Sequence, residues 1–306
     1  MTMNSVATEA AIPLTAKTPG ARSRRNPGFW NWLGVAPFLV FSAMFLIAPT
    51  LYLFIGAFQN TAGAFTLDNI IALGGKDIAD AYSLSIRLSL VSAALGAITG
   101  LLLAYAIVLG GLPKWLRPAF LTFSGVASNF AGIPLAFAFI ATIGPLGIMT
   151  VFLRNVFHFN LSSTGFNLFS FTGLVITYLY FQLPLMVLII TPALDGLKKE
   201  WNEAALILGA TSAQYWRMVA LPVLFPTILG CFLLLFANAF GTLATIYALT
   251  SSRFSVVPIV LFQQIRGNVL YNPNLGYALA LGMVVITAFS NVVYLMLRAR
   301  TEKWQK

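Results

Sequence analysis

Apolar residues run almost unbroken through six stretches of the chain, near residues 33–58, 84–110, 119–142, 169–194, 223–250 and 274–297. Each is long enough to cross a hydrocarbon core, which takes about 20 residues of α-helix. Within lipid, a helix satisfies its backbone polar groups along its own length. The pattern therefore predicts an all-α integral membrane protein with six transmembrane helices. Small residues recur inside the runs. Gly96 and Gly100 form a GxxxG, and Gly125, Ala131, Gly132 and Ala136 stud the third run, which predicts close helix packing. Pro134 and Pro184 each remove a backbone donor inside a span and predict kinks.

Between the fourth and fifth runs the pattern changes. Residues Glu200 to Leu208 are good helix formers, with Trp201, Ala204, Ala205 and Leu208 spaced along one stripe. Gly209 interrupts this helix, and Thr211 with Gln214 has the T-x-x-Q spacing of a capping box that starts another. The stripe of the second short helix is Tyr215, Trp216 and Val219, and it ends before Pro222. Two short helices meeting at a glycine elbow, with an apolar stripe exposed on a loop, predict a docking partner. Residues 59–82 and 143–168 predict loops on the other side. The first 27 residues are polar and small with no apolar h-region, so 1–27 predicts a disordered cytoplasmic tail and not a cleaved signal peptide. Residues 301–306 form a second cytoplasmic tail.

Composition agrees with the membrane reading: 59% of the 306 residues are hydrophobic and 8% charged, about a third of the charged fraction of a soluble domain. The net charge of +10 points to nucleic acid only if the bases cluster on a soluble surface, and they do not. Lys17, Arg22, Arg24 and Arg25 precede the first span, Lys114 and Arg117 follow the second, and Lys198, Lys199 and Arg217 follow the fourth. Arg298, Arg300, Lys303 and Lys306 close the chain. The opposite loops carry Lys76, Arg154, Arg253 and Arg266. By the positive-inside rule both termini and the 195–222 segment face the cytoplasm. Trp30, Trp32, Trp115 and Trp304 suit interfacial anchors.

Candidate chemistry is sparse. All eight acids, Glu9, Asp68, Asp77, Asp80, Asp195, Glu200, Glu203 and Glu302, lie outside the predicted spans. Ion-coupled transporters usually carry a titratable group near midplane. No GxxxxGK[ST], HExxH or GxSxG is present, since Gly75-Lys76 is followed by Asp77. One histidine, His158, makes no metal site, and one cysteine, Cys231, makes no intrachain disulfide. Uphill transport would draw on a partner. The polar residues of the spans fall on helical stripes: Asn238, Thr242 and Thr245 in the fifth, Ser124 and Ser128 with Asn129 in the third. Two readings stay open for them, a water-filled translocation pathway and interhelical hydrogen bonding. Arg87, at the mouth of the second span, either snorkels to the interface or lines an outer vestibule.

Glu203-Ala204-Ala205, three residues, Gly209, nine residues, Val219, one residue and Leu221-Pro222 together resemble the EAA signature of the membrane subunits of binding-protein-dependent ABC importers. Val219 stands for the usual isoleucine, and Lys198 stands where many relatives have proline. The similarity spans roughly residues 30–300. GVAPFLVFSAMFLIAPTLYLFIGAF, FTLDNI, SNFAGIPLAFAFI and the stretch ending NPNLGY look like the spermidine/putrescine, iron and phosphonate branch.

The resemblance implies a compact permease domain over 28–300, multi-pass in a bacterial inner membrane. It implies that the 195–222 loop is a coupling segment seated on a cytoplasmic ABC ATPase dimer. Glu203 would meet a polar or basic group there, and Ala204, Ala205 and Gly209 would be small for close approach, with Val219, Leu221 and Pro222 completing the motif. The chain would be non-catalytic and bind no cofactor, with ATP and Mg on the ATPase. A second permease subunit, a heterodimer in preference to a homodimer, would complete the pathway, and a solute-binding protein would deliver a polyamine, phosphonate or related small ion. The alternative from another class is a self-contained channel or secondary transporter.

Overall fold

The computed structural model describes residues 29–302 except 114, 160–162, 164, 252 and 268–272. The expected 1–27 tail, the anchor Trp304 and the bases Lys17, Arg22, Arg24, Arg25, Lys114, Lys303 and Lys306 lie outside the described residues. Among the described residues the chain is helical, with no strand, and six helical stretches are long and apolar enough to cross a membrane: 34–57, 76–109, 133–157, 171–195, 212–240 and 274–296.

The described residues divide after Thr50 into two compact units. The first contains α1, Phe29–Ser42, a five-residue π turn Ala43–Ile47, and the start of α2, Ala48–Ala57. None of residues 34–50 is buried. The π turn ends two residues before Pro49, where the Ala48 amide donates to the Ala43 carbonyl. A proline ring clashes with the carbonyl four residues back, and a widened turn relieves that clash without ending the helix.

The second unit continues through α3, Asp68–Ala72, and α4, Lys76–Leu109, which starts two turns earlier than the hydrophobic pattern predicts. Asp77 in its first turn suits the positive end of the helix. Then follow α5, Leu116–Asn129, α6, Ile133–Ile143, α7, Ile148–Phe157, and α8, Phe171–Asp195. Helix α8 is the most buried span, packed against α4 and α5, with Leu174, Tyr178, Phe181, Met186 and Ile190 almost fully enclosed. Gly96 and Gly100 permit that packing: a Cβ on Gly100 would stand 2.6 Å from Met186 Cβ, and one on Gly96 2.7 Å from Gln182 Oε1. Beyond α8 come α9, Lys199–Ile207, α10, Ser212–Tyr215, α11, Leu221–Phe240, α12, Ala244–Thr250, α13, Val257–Gly267, and α14, Pro273–Glu302. Helix α14 includes residues 301 and 302, and the rest of the expected 301–306 tail lies outside the described residues.

Four sequence expectations are corrected here. The third run is not one helix: α5 stops at Asn129, and Gly132, at φ +75°, turns the chain before α6. Pro134 lies in the first turn of α6, where its missing amide has no intrahelical duty, so it opens a helix and does not kink one. The 143–168 segment carries α7, and is not simply a loop. The fifth run breaks after Phe240, so Thr245 belongs to α12 and the i, i+4, i+7 stripe of Asn238, Thr242 and Thr245 does not exist as a single helical face. Pro184 does lie inside a helix, α8, with Pro192.

Candidate functional site

Helix α9 ends at Leu208 in a closure set by backbone geometry. Gly209, at φ +79°, lets its amide donate to the Leu206 carbonyl at 3.0 Å and the Ala210 amide to the Ala205 carbonyl at 2.9 Å. This is a Schellman closure, with Ala210 beside Ala205 as its apolar pair. The chain then enters a capping box. The Thr211 hydroxyl accepts from the Gln214 amide at 3.3 Å, and the Thr211 amide donates to Gln214 Oε1 at 2.7 Å. A Cβ on Gly209 would meet nothing within 4 Å, so the turn alone calls for glycine within this chain.

The second short helix does not stop before Pro222. From Tyr215 it passes through a π turn, Trp216–Ala220, straight into α11, with the Leu221 amide bonded to the Trp216 carbonyl. As at Pro49, the widened turn accommodates a proline, here Pro222, in a continuous helix. This continuity also settles which faces are free. Tyr215 is buried, and Trp216 packs edge-on against Tyr105 of α4 with ring centroids 5.0 Å apart, so their stripe faces the chain itself. The exposed apolar surface is instead the tip of α9, where Ile207 and Leu208 are each 86% exposed, with Leu206 and Met218 also exposed. Trp201 and Ala205 are half-buried, while Glu203 and Ala204 are exposed. The base of the segment is tied by the Arg117–Asp195 ion pair at 2.5 Å, two-fifths exposed and worth at most about 1 kcal/mol.

The predicted polar stripes separate into two groups. Thr245 is fully buried, and its hydroxyl accepts the Gly132 amide at 2.8 Å, joining the break between α5 and α6 to the break between α11 and α12. Ser128 and Asn129 both donate to the Gly125 carbonyl in the last turn of α5, while Ser124 is buried. These contacts are internal to the chain. Asn238 is exposed, although Phe236 and Phe240 on either side of it are buried and stacked 5.7 Å apart, and the half-buried Thr242 donates to its carbonyl. Arg87 lies on an exposed apolar stripe of α4 with Leu90, Val91, Ile98 and Leu102. Single cysteines in a Cys231→Ala background separate the groups: Asn238→Cys is expected to react with a small aqueous thiol reagent in the folded protein, and Thr245→Cys only after unfolding. Equal reactivity would contradict the placement.

A second polar stripe escapes the hydropathy reading. Ser85, Ser89 and Ser92, at i, i+4 and i+7 of α4, are all buried, as is Gln182 of α8. Gln182 Nε2 donates to Ser92 Oγ at 3.2 Å, and Ser85 Oγ accepts the Val257 amide at 2.8 Å. Among the described residues Gln182 Oε1 has no hydrogen-bond partner and lies over Gly96. Its spacing was legible in the sequence; the partner helix was not.

Comparison with known proteins adds the following. The model of the family described as "Binding-protein-dependent transport system inner membrane component" matches residues 96–303. The probable sulfate transport system permease protein cysT of Nephroselmis olivacea is 24% identical over 243 residues, covering 78% of this chain and 79% of the relative. The sulfate transport system permease protein CysW of Synechocystis sp. is 26% identical over 278 residues, covering 89% and 93%. A chain from the crystal structure of a bacterial ABC transporter that imports the acidic polysaccharide alginate superposes with a TM-score of 0.67 at 17% identity, covering 90% of this chain and 97% of that one. At that identity the superposition speaks for the fold alone.

Proposed function

We propose, for a chain that belongs to the family of binding-protein-dependent transport system inner membrane components, that the Gly209 elbow is its coupling surface and that its cargo is a small oxyanion. The chain is a permease subunit of an ABC importer. Its partners on this reading are a cytoplasmic ATPase pair carrying ATP and Mg, a solute-binding protein and a second permease, with a heterodimer preferred. The 195–222 segment and both termini face the cytoplasm. The observation that carries the coupling role is the tip of α9, Leu206 to Leu208. An apolar end held rigid by the Schellman closure and left bare on a polar segment is suited to insertion into a groove on another protein.

Two considerations support an oxyanion. The relatives matched here are named sulfate permeases, and sulfate shares its tetrahedral anionic chemistry with the phosphonate of the branch resemblance. No carboxylate lies within the apolar runs to hold a polyamine. In a strain lacking this chain, restoring it is expected to restore uptake of labelled sulfate or of a phosphonate, dependent on an intact partner ATPase. Restoration of spermidine uptake with neither anion accumulating would overturn the oxyanion reading. Uptake by the purified chain alone in liposomes would overturn the importer mechanism in favour of a self-contained carrier.

A further inference from the structure

Between α4 and the 195–222 segment lies a cavity of about 280 Å³, distinct from the exposed tip of α9. Its floor is aromatic, formed by Tyr105 and Trp216, and its wall carries Lys198, Lys199, Asn202 and Ser212. The lining residues thus include two lysines, an asparagine and a serine, whose side chains carry hydrogen-bond donors, and no carboxylate. The one salt bridge among the described residues, Arg117–Asp195, leaves both lysines out. Lys198 Nζ stands 5.9 Å from the centroid of the Trp201 ring at the edge of the cavity, a weak contact that an anion can outcompete. Lys198 is also the departure from the signature noted above: relatives with proline at this place put no charge here.

We infer that this cavity is a binding site for a phosphate-type oxyanion, either the headgroup of an anionic phospholipid or free inorganic phosphate. Donors without carboxylates select an anion over a cation, and an aromatic floor at the end of two spans suits the headgroup level of a bilayer. Because the walls come from α4, α9 and α10 together, an occupant bridges the long span to both arms of the elbow and stiffens it. The site is independent of which cargo is carried.

The test uses the full-length chain, wild type and the Lys198→Gln/Lys199→Gln double variant, followed by thermal unfolding. In detergent, inorganic phosphate is expected to raise the Tm above chloride at equal ionic strength. The double variant should need more phosphate for the same shift, by roughly fivefold for each lysine removed. Lys198→Pro provides a second variant that is expected to fold, since Lys198 has φ −70°, a value proline adopts, and it removes one amine. Nanodiscs distinguish the sources. If phosphatidylglycerol raises the Tm over phosphatidylcholine and makes added phosphate ineffective, the headgroup is the occupant; if phosphate acts equally in both discs, the free ion is. No shift from either source, or a shift of the same size in the double variant, would overturn the site.

Discussion

Gly209→Val is expected to abolish ATP-driven uptake, and Gly209→Asn to retain most of it. Gly209 sits at φ +79°, and both closing hydrogen bonds of α9 depend on that turn. A β-branched residue there costs about 1–3 kcal/mol, enough to shift the elbow roughly fivefold to 150-fold toward an open form. Asparagine tolerates the left-handed region far better. Sterics inside the chain do not enter, because a Cβ at this position meets nothing within 4 Å. The pair therefore separates two reasons for a glycine in the signature. Failure of valine alone, measured as lost uptake and lost ATPase association with normal membrane levels, assigns the glycine to the turn. Failure of both assigns it to close approach of the partner. Wild-type uptake in both variants would remove the elbow from the coupling mechanism.

The parts of the fold written in local chemistry were legible in the sequence. Thr211 and Gln214 make a capping box at the spacing that predicts one, and Gly209 turns the chain where the helix formers end. Six membrane-length helical stretches are present among the described residues, but the third, 133–157, overlaps only the end of the third apolar run. What failed was reasoning that assumed an unbroken helix. Hydropathy does not register a turn whose residues are themselves apolar, so Phe130 to Gly132 and Gly241 to Leu243 read as span interiors. Once α11 and α12 are separate, the periodicity that united Asn238 with Thr245 has no meaning, and the two residues face different surroundings. The stripe of α10 failed for a related reason. Its continuation into α11 fixes its rotation, turning Tyr215 and Trp216 toward α4, and leaves the apolar tip of α9, with Met218, free. The Lys198–Ser212 cavity was illegible because Tyr105 and Leu109, which close it, lie far from the 195–222 segment in sequence.

Gly100→Leu is expected to prevent accumulation of folded protein, whereas Gly125→Leu should leave the chain folded. Both glycines read alike in the sequence, as small residues in apolar spans, yet their surroundings differ. At Gly100 even a Cβ would stand 2.6 Å from Met186 Cβ and 3.2 Å from the Leu183 carbonyl oxygen. The carbonyl is backbone of the most enclosed helix, so the clash cannot be relieved by a rotamer change, and α4 must move away from α8. Overpacking a well-filled interface costs about 1–3 kcal/mol where side chains can adjust, and here the obstacle is partly main chain. The separation would also strand Gln182, whose amide reaches Ser92 about two turns along α4 on the same contact. A Cβ at Gly125 meets nothing within 4 Å in this chain. Membrane levels and detergent unfolding of the two variants, side by side, decide the matter. Loss of Gly100→Leu alone places the tight approach inside the chain. If Gly125→Leu is folded but no longer co-purifies with a second permease, the glycine of α5 serves a contact between chains. Equal stability of both variants would contradict the α4–α8 packing described here.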